Sequence, residues 1–283
     1  MNIAPQVLDP SRQMHKESLG QADRRGRLAG RRVLVVGAGQ RDIPEADPPL
    51  GNGRAISVLF AREGASVACV DISPPAVQAT VDQIGREGGQ AIAEVADVRD
   101  VATIAPLLRR CAQRLGGLDG LVLNVGISHA LPLREQTAAT WDDEYAVNVR
   151  SHMLFAQAAL EVMPAGSSIV LISSLASQRN SSGNVAYESS KAAQVSLARG
   201  IAVAGEAKGI RCNSVMPGLM DTPMGRDATR RRPGRALAVP FGRQGTAWEV
   251  AYTCLFLISN ESSYVNAHAL MVDGGLGFGV VRS

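Results

Sequence analysis

The 283-residue chain is poor in aromatic residues, at 4%, which removes the stacking platforms that single-stranded nucleic acid needs. Its 29 basic and 26 acidic side chains nearly cancel, and a net charge of +3 sets up no broad field for a nucleic-acid partner. Lysine is scarce: only Lys16, Lys191 and Lys208 occur. No run of 18 apolar residues is present, so no membrane-spanning helix is expected. The first 30 residues are rich in Arg and hold no apolar run of seven or more, so no secretory signal is expected either. The four cysteines, Cys69, Cys111, Cys212 and Cys254, form no CxxC and show no metal-ligand spacing. No metal site is expected, Cys69 and Cys212 read as small buried residues, and a reducing cytoplasm is the natural compartment.

What the chain does have is an ordinary globular balance, with 46% hydrophobic residues and 29 glycines. The length suits one α/β domain of roughly 250 residues plus a tail. Residues 1–30 read as an N-terminal arm, flexible or docked at an interface, and 31–283 as the domain. Apolar strand-like runs at 33–36, 66–70, 91–95, 118–125, 168–173, 211–215 and 269–272 alternate with helical segments. The helices are expected at 55–62, 74–87, 101–115, 140–163, 186–207 and 246–258. This alternation predicts a single Rossmann-type doubly wound domain, a parallel sheet of about seven strands with helices on both faces. Ligands in such folds bind beyond the carboxyl ends of the strands. Residues 219–245 form the one long irregular stretch, read as a lid.

Gly37-Ala38-Gly39 follows the first strand, and Gly51-Asn52-Gly53 opens the first helix. Glycines there let backbone approach a pyrophosphate, and a helix N-terminus offers free N–H groups. The intervening 40–50 stretch carries Asp42, Glu45 and Asp47 and is expected to loop outward, since carboxylates repel phosphate. Asp71 ends the second strand, where an acid accepts hydrogen bonds from both ribose hydroxyls and repels a 2′-phosphate. NAD is thereby favoured over NADP. Tyr187 and Lys191 are four apart and share a helix face. An ammonium beside a phenol stabilises the phenolate and suits it to exchange protons with an alcohol or ketone.

These motifs together resemble the short-chain dehydrogenase/reductase family over about residues 31–277. Ser174, Tyr187 and Lys191 match its catalytic residues, and Asn148 matches the helix Asn of its tetrad. Asn124-Val125-Gly126 resembles its NNAG motif, with Val replacing the second Asn. Asp97-Val98 resembles the adenine-binding pair, and Pro217-Gly218 with Thr222 resembles the nicotinamide-side motif. Val272-Asp273-Gly274-Gly275 resembles its C-terminal signature. One departure is large: 13 residues separate Gly37 from Gly51 where the family pattern has three, an insertion of ten.

The resemblance implies hydride transfer between a nicotinamide cofactor and a secondary alcohol or ketone. Tyr187 would exchange the proton, Lys191 would bind ribose hydroxyls and lower the Tyr187 pKa, and Ser174 would bind the substrate oxygen. Asn148 would hold a water linking Lys191 to solvent. Ser128 and His129 are candidates to touch substrate. Arg226, Arg230, Arg231, Arg232 and Arg235 would suit an anionic group, such as a carboxylate or a carrier phosphate. An alternative reading is therefore a 3-oxoacyl-thioester reductase. A non-catalytic nucleotide-sensing scaffold is the remote alternative, opposed by the complete tetrad. A homo-oligomer, tetramer or dimer, is the expected assembly.

Overall fold

The computed structural model describes residues 9–179 and 183–278. Seven strands form one parallel sheet: β1 (Arg32–Val36), β2 (Ser66–Asp71), β3 (Gln90–Val95), β4 (Gly120–Leu123), β5 (Ser168–Ile172), β6 (Arg211–Pro217) and, at the far edge, Ala269–Val272. The helices are α1 (Asn52–Arg62), α2 (Pro74–Arg86), α3 (Val101–Leu115), α4 (Ala138–Tyr145), α5 (Ser151–Val162), α6 (Val185–Ala204), α7 (Pro223–Arg231) and α8 (Ala247–Ile258). A two-strand pair, β7 (Met220–Asp221) and β8 (Gly245–Thr246), stands apart, which makes the edge strand β9. The order is β3-β2-β1-β4-β5-β6-β9, so the chain reverses direction across the sheet between β1 and β4. That reversal opens the crevice in which such folds bind ligands.

The pleat sends alternate side chains of each strand to opposite faces. Val33 and Val35 of β1 join one apolar layer with Ile56, Phe60, Val77, Val250 and Leu255, from α1, α2 and α8. Leu34 and Val36 join the other with Leu107, Leu108, Phe155 and Ile201, from α3, α5 and α6. All four cysteines are buried and reduced. Burial pushes the Cys69 thiol up to about 12, so it acts as a small apolar side chain. Arg211 is buried at the start of β6 and donates to the carbonyls of Leu257 at 3.0 Å and Ser259 at 3.0 Å, closing the end of α8.

Three local features depart from the sequence reading. The helix expected over 140–163 is two helices, α4 and α5, joined by a π-turn at Ala146–Arg150 that contains Asn148. The 219–245 stretch is not irregular, because it holds α7 and the β7–β8 pair. The 40–50 insertion does not loop away into solvent but lands on α7. Separately, the described part of the N-terminal arm is fastened to the α1–α8 side. Glu63 at the end of α1 accepts from the backbone N–H of Arg27 at 2.9 Å and of Arg25 at 3.2 Å, and Leu28 is buried.

Candidate functional site

The β1 exit is a tight knot of three motif residues. Gly37 has φ +83°, and Asn124 Nδ2 donates to its carbonyl at 2.7 Å. Gly53 enters the same space: a Cβ there would lie 1.8 Å from the Gly37 oxygen. Any side chain at 53 would push α1 away from the turn, so the glycine sets the helix against β1 and β4. No side chain caps α1. Asn52 Oδ1 in its first turn is buried without a partner. Uncapped N–H groups at a helix N-terminus fit a diphosphate. Gly51, at the N-cap, donates its N–H to Gln40 Oε1 of the insertion at 2.9 Å.

Asp71 stands at the end of β2. Its carboxylate accepts from Gly39 N at 2.8 Å and Ser73 N at 3.1 Å, which fixes it at the mouth of the crevice. The N-cap of α2 is Ser73, whose hydroxyl accepts from Ala76 N. Asp97 accepts from Arg99 N at 2.9 Å, and Val98 packs into the core beside it. Gly218 donates to the Val272 carbonyl at 2.9 Å, so Pro217-Gly218 sits against the C-terminal signature. Thr222 is the N-cap of α7 and accepts from Gly225 N at 3.1 Å.

The catalytic candidates converge behind the crevice. Ser174 stands beside Tyr187 and acts on its phenol. Burial pushes the phenol above its ordinary pKa, Ser174 opposes that, and the Glu144 charge adds to it. The Lys191 amine lies 5.4 Å from the centre of the Tyr187 ring. It donates to the Ile172 carbonyl at 2.9 Å and to Gln194 Oε1 at 3.1 Å. Burial lowers its pKa to about 7. The depression expected of the phenol does not appear: burial outweighs what opposes it. Gly126 stands beside Lys191 and Asn148. Asn148 Oδ1 accepts from Ile127 N at 2.9 Å, and Nδ2 donates to Ser190 Oγ at 3.0 Å. The π-turn brings Asn148 to α6, as such local widenings do at functional sites.

The substrate-side candidates are engaged elsewhere. His129 Nε2 pairs with Asp143 at 3.0 Å, and Ser128 Oγ accepts from Asn184 Nδ2 at 2.7 Å. Of the lid arginines, Arg226 pairs with Asp221 and with Glu45, at 2.9 Å to the latter. Arg230 pairs with Glu45 at 2.8 Å and with Asp227, and Arg41 also reaches Asp227. One acid of the insertion, Glu45, thus pairs with both Arg226 and Arg230. Arg231 and Arg232 are exposed, while Arg235 is half-buried, with its guanidinium pKa lowered by burial and by Arg232.

Sequence reasoning missed Gln194, His152 and Glu144. All three are fully or almost fully buried. Glu144 Oε1 accepts from His129 N at 2.8 Å, Oε2 has no partner, and burial raises the carboxyl pKa. The available signal was spacing: Gln194 is three residues after Lys191, and His152 four after Asn148.

A family model described as enoyl-(acyl carrier protein) reductase matches residues 50–277, beginning where the insertion ends. The chain is 32% identical over 253 residues to the 3-oxoacyl-[acyl-carrier-protein] reductase FabG of Thermotoga maritima, spanning 88% of this chain and 99% of that one. It is 31% identical over 261 residues to the 2,5-dichloro-2,5-cyclohexadiene-1,4-diol dehydrogenase LinX of Sphingobium indicum, spanning 90% and 99%. A crystal structure of a short-chain dehydrogenase/reductase from Burkholderia xenovorans superposes with a TM-score of 0.83 at 35% identity, covering 90% of this chain and 99% of that one. The parallel sheet, the glycine knot and these relatives together make the chain a member of the short-chain dehydrogenase/reductase family, oxidoreductases that work with a nicotinamide cofactor.

Proposed function

We propose that the protein interconverts a secondary alcohol and a ketone using NAD(H), with Tyr187 exchanging the proton. The observation that carries this is the convergence of Ser174 and the Lys191 amine on Tyr187, with the amine 5.4 Å from the centre of its ring. A substrate oxygen placed between the two hydroxyls would meet a donor on each side as negative charge develops. Bound nicotinamide supplies or accepts the hydride. Gly37, Gly51 and Gly53 would bring backbone to the diphosphate. Asp97, Val98, Asn124 and Gly126 would line the adenosine and ribose, and Pro217, Gly218 and Thr222 the nicotinamide side. Lys191 would hold ribose hydroxyls once turned from the Ile172 carbonyl.

Asp71 supports NAD over NADP, because a carboxylate fixed by two N–H groups cannot swing away from a 2′-phosphate. Calorimetry should give NADH at least about tenfold tighter binding than NADPH, about 1.4 kcal/mol. Tighter NADPH would overturn the preference. A homo-oligomer in the cytoplasm accords with the family and with the Ala, Ser and Gly content of α6.

A second reading, reduction of a 3-oxoacyl thioester, is favoured by the Thermotoga relative. The ion pairs on Arg226 and Arg230 weigh against it, leaving Arg231 and Arg232 as the exposed cations for a carrier phosphate. An NAD-linked screen of secondary alcohols, hydroxy acids and hydroxyacyl thioesters separates the two. Turnover confined to thioesters would replace the first reading with the second.

A further inference from the structure

A buried polar chain runs behind the catalytic residues. Lys191 Nζ donates to Gln194 Oε1 at 3.1 Å. The Gln194 amide nitrogen lies 2.6 Å from the Asn148 carbonyl and 3.0 Å from His152 Nδ1. His152 Nε2 is 3.1 Å from the Val125 carbonyl. These distances permit one assignment of protons. The Val125 oxygen can only accept, so His152 Nε2 carries the hydrogen and Nδ1 accepts. The Gln194 amide then spends both N–H groups, on Asn148 and on His152, and its oxygen faces the lysine. Every member has a partner and all four are buried: Gln194, His152 and Asn148 are 0% exposed and Lys191 is 3% exposed.

Burying an amide and an imidazole has a cost unless each finds its partners. A fully satisfied network offsets that cost and in return admits one geometry. This network joins α6 to the π-turn, to α5 and to the β4 exit. The π-turn exposes the Asn148 carbonyl to α6, and the Gln194 side chain takes it.

We propose that Gln194 is a positioning residue for Lys191, its side chain bridging the Asn148 carbonyl and the Lys191 amine where the family resemblance places a water. A primary amide bridges in one orientation and does not pass protons as water does. The lysine is thereby tethered through a fixed acceptor, and His152 fixes the orientation of that acceptor. The groups facing Lys191 are few. Tyr187 lies on its own helix, His152 comes from α5, and Glu144 from α4 acts through Tyr187. From β4 and β5 the described contacts are with backbone, at Gly126 and Ile172. His152 stays neutral, since burial and the Lys191 charge lower its pKa to about 3.

The inference rests on the reading of Lys191 as catalytic, but its test does not need a substrate. With three lysines in the chain, protein carrying 13Cε-labelled lysine gives three resonances, and loss of one in Lys191→Met assigns it. Gln194→Glu places a carboxylate on the amine and should raise the Lys191 titration midpoint by at least about one pH unit. Gln194→Leu removes the acceptor and should lower it. The limb of the kcat–pH profile that follows Lys191 should move the same way. A purely structural Gln194 would lower thermal stability and kcat at every pH while leaving the titration in place. Unmoved midpoints in folded Gln194→Glu and Gln194→Leu protein would overturn the proposal. If either fails to fold, Gln194→Asn, one methylene too short to reach Lys191, should lower the midpoint as Leu does; an unmoved midpoint there is equally contrary. Loss of turnover in the wild type with every carbonyl tried, alongside shifted midpoints, would instead count against the proposed reaction alone.

Discussion

Lys191 shows how much one side chain owes to its setting. Arg supplies the cation of the ion pairs that fasten this chain, as in Arg32–Asp119 and Arg62–Glu87. A guanidinium cannot lose its proton in a protein, whereas a buried amine can. In the folded state burial holds the Lys191 pKa near 7, against 10.5 for a free lysine. Between those values the unfolded chain binds a proton that the folded chain does not, so raising the pH through that window favours folding. Chemical denaturation of the cofactor-free protein should show wild type gaining stability relative to Lys191→Met from about pH 7 upward. Parallel stability curves would mean that the amine titrates as if exposed. The sequence made Tyr187 and Lys191 legible because their spacing follows one helix face, and Ser174 and Asn148 legible through the family resemblance. It could not show that the phenol sits above its ordinary pKa, because that depends on burial by distant elements.

At the scale of elements, the insertion and the lid belong together. Glu45 reaches Arg226 and Arg230, and Arg41 reaches Asp227, so the loop from the glycine turn is tied to α7. Gln40 of the same loop bonds the N-cap of α1. The two elements that flank the crevice are thus linked across it. Sequence reasoning saw the acids at 42–47 and the arginines at 226–235 separately and sent the acids toward solvent. Their pairing is invisible without the fold, since more than 180 residues separate Glu45 from Arg226. Half-exposed pairs contribute roughly 0.5 kcal/mol each, so the three bridging contacts amount to roughly 1.5 kcal/mol. Glu45→Ala combined with Asp227→Ala should therefore speed NADH dissociation in stopped-flow fluorescence by up to about tenfold, the most that this energy allows, and less in high salt. An unchanged off-rate would make the link a surface contact without bearing on the cofactor. The π-turn was equally hidden: Ala146–Arg150 lies inside the stretch expected as one continuous helix, and from it Asn148 bonds Ser190 of α6.

At the scale of the molecule, the alternation of apolar runs and helices was enough to give the parallel sheet, because strands covered on both faces are apolar throughout. Arginine-centred ion pairs and hydrogen bonds then fasten what periodicity does not specify, including the arm to α1 through Arg27 and Glu63. Burial alone would raise the Glu63 carboxyl, but the bonds from Arg27 and Arg25 outweigh it and hold it below the usual range. The weak net charge thus conceals a dense local pairing, and the sheet presents its strand ends to a crevice lined by glycine, Asp71 and the tetrad. The central claim is that this crevice carries hydride transfer with Tyr187 as the proton exchanger. Its most direct test is a single-turnover assay with C4-deuterated NADH and a panel of ketones, reading deuterium at the carbinol carbon of the product. Wild type should transfer the label, and Tyr187→Phe should bind NADH equally well and transfer none; label transfer by Tyr187→Phe at the wild-type rate, or none by wild type with any ketone, would contradict the account.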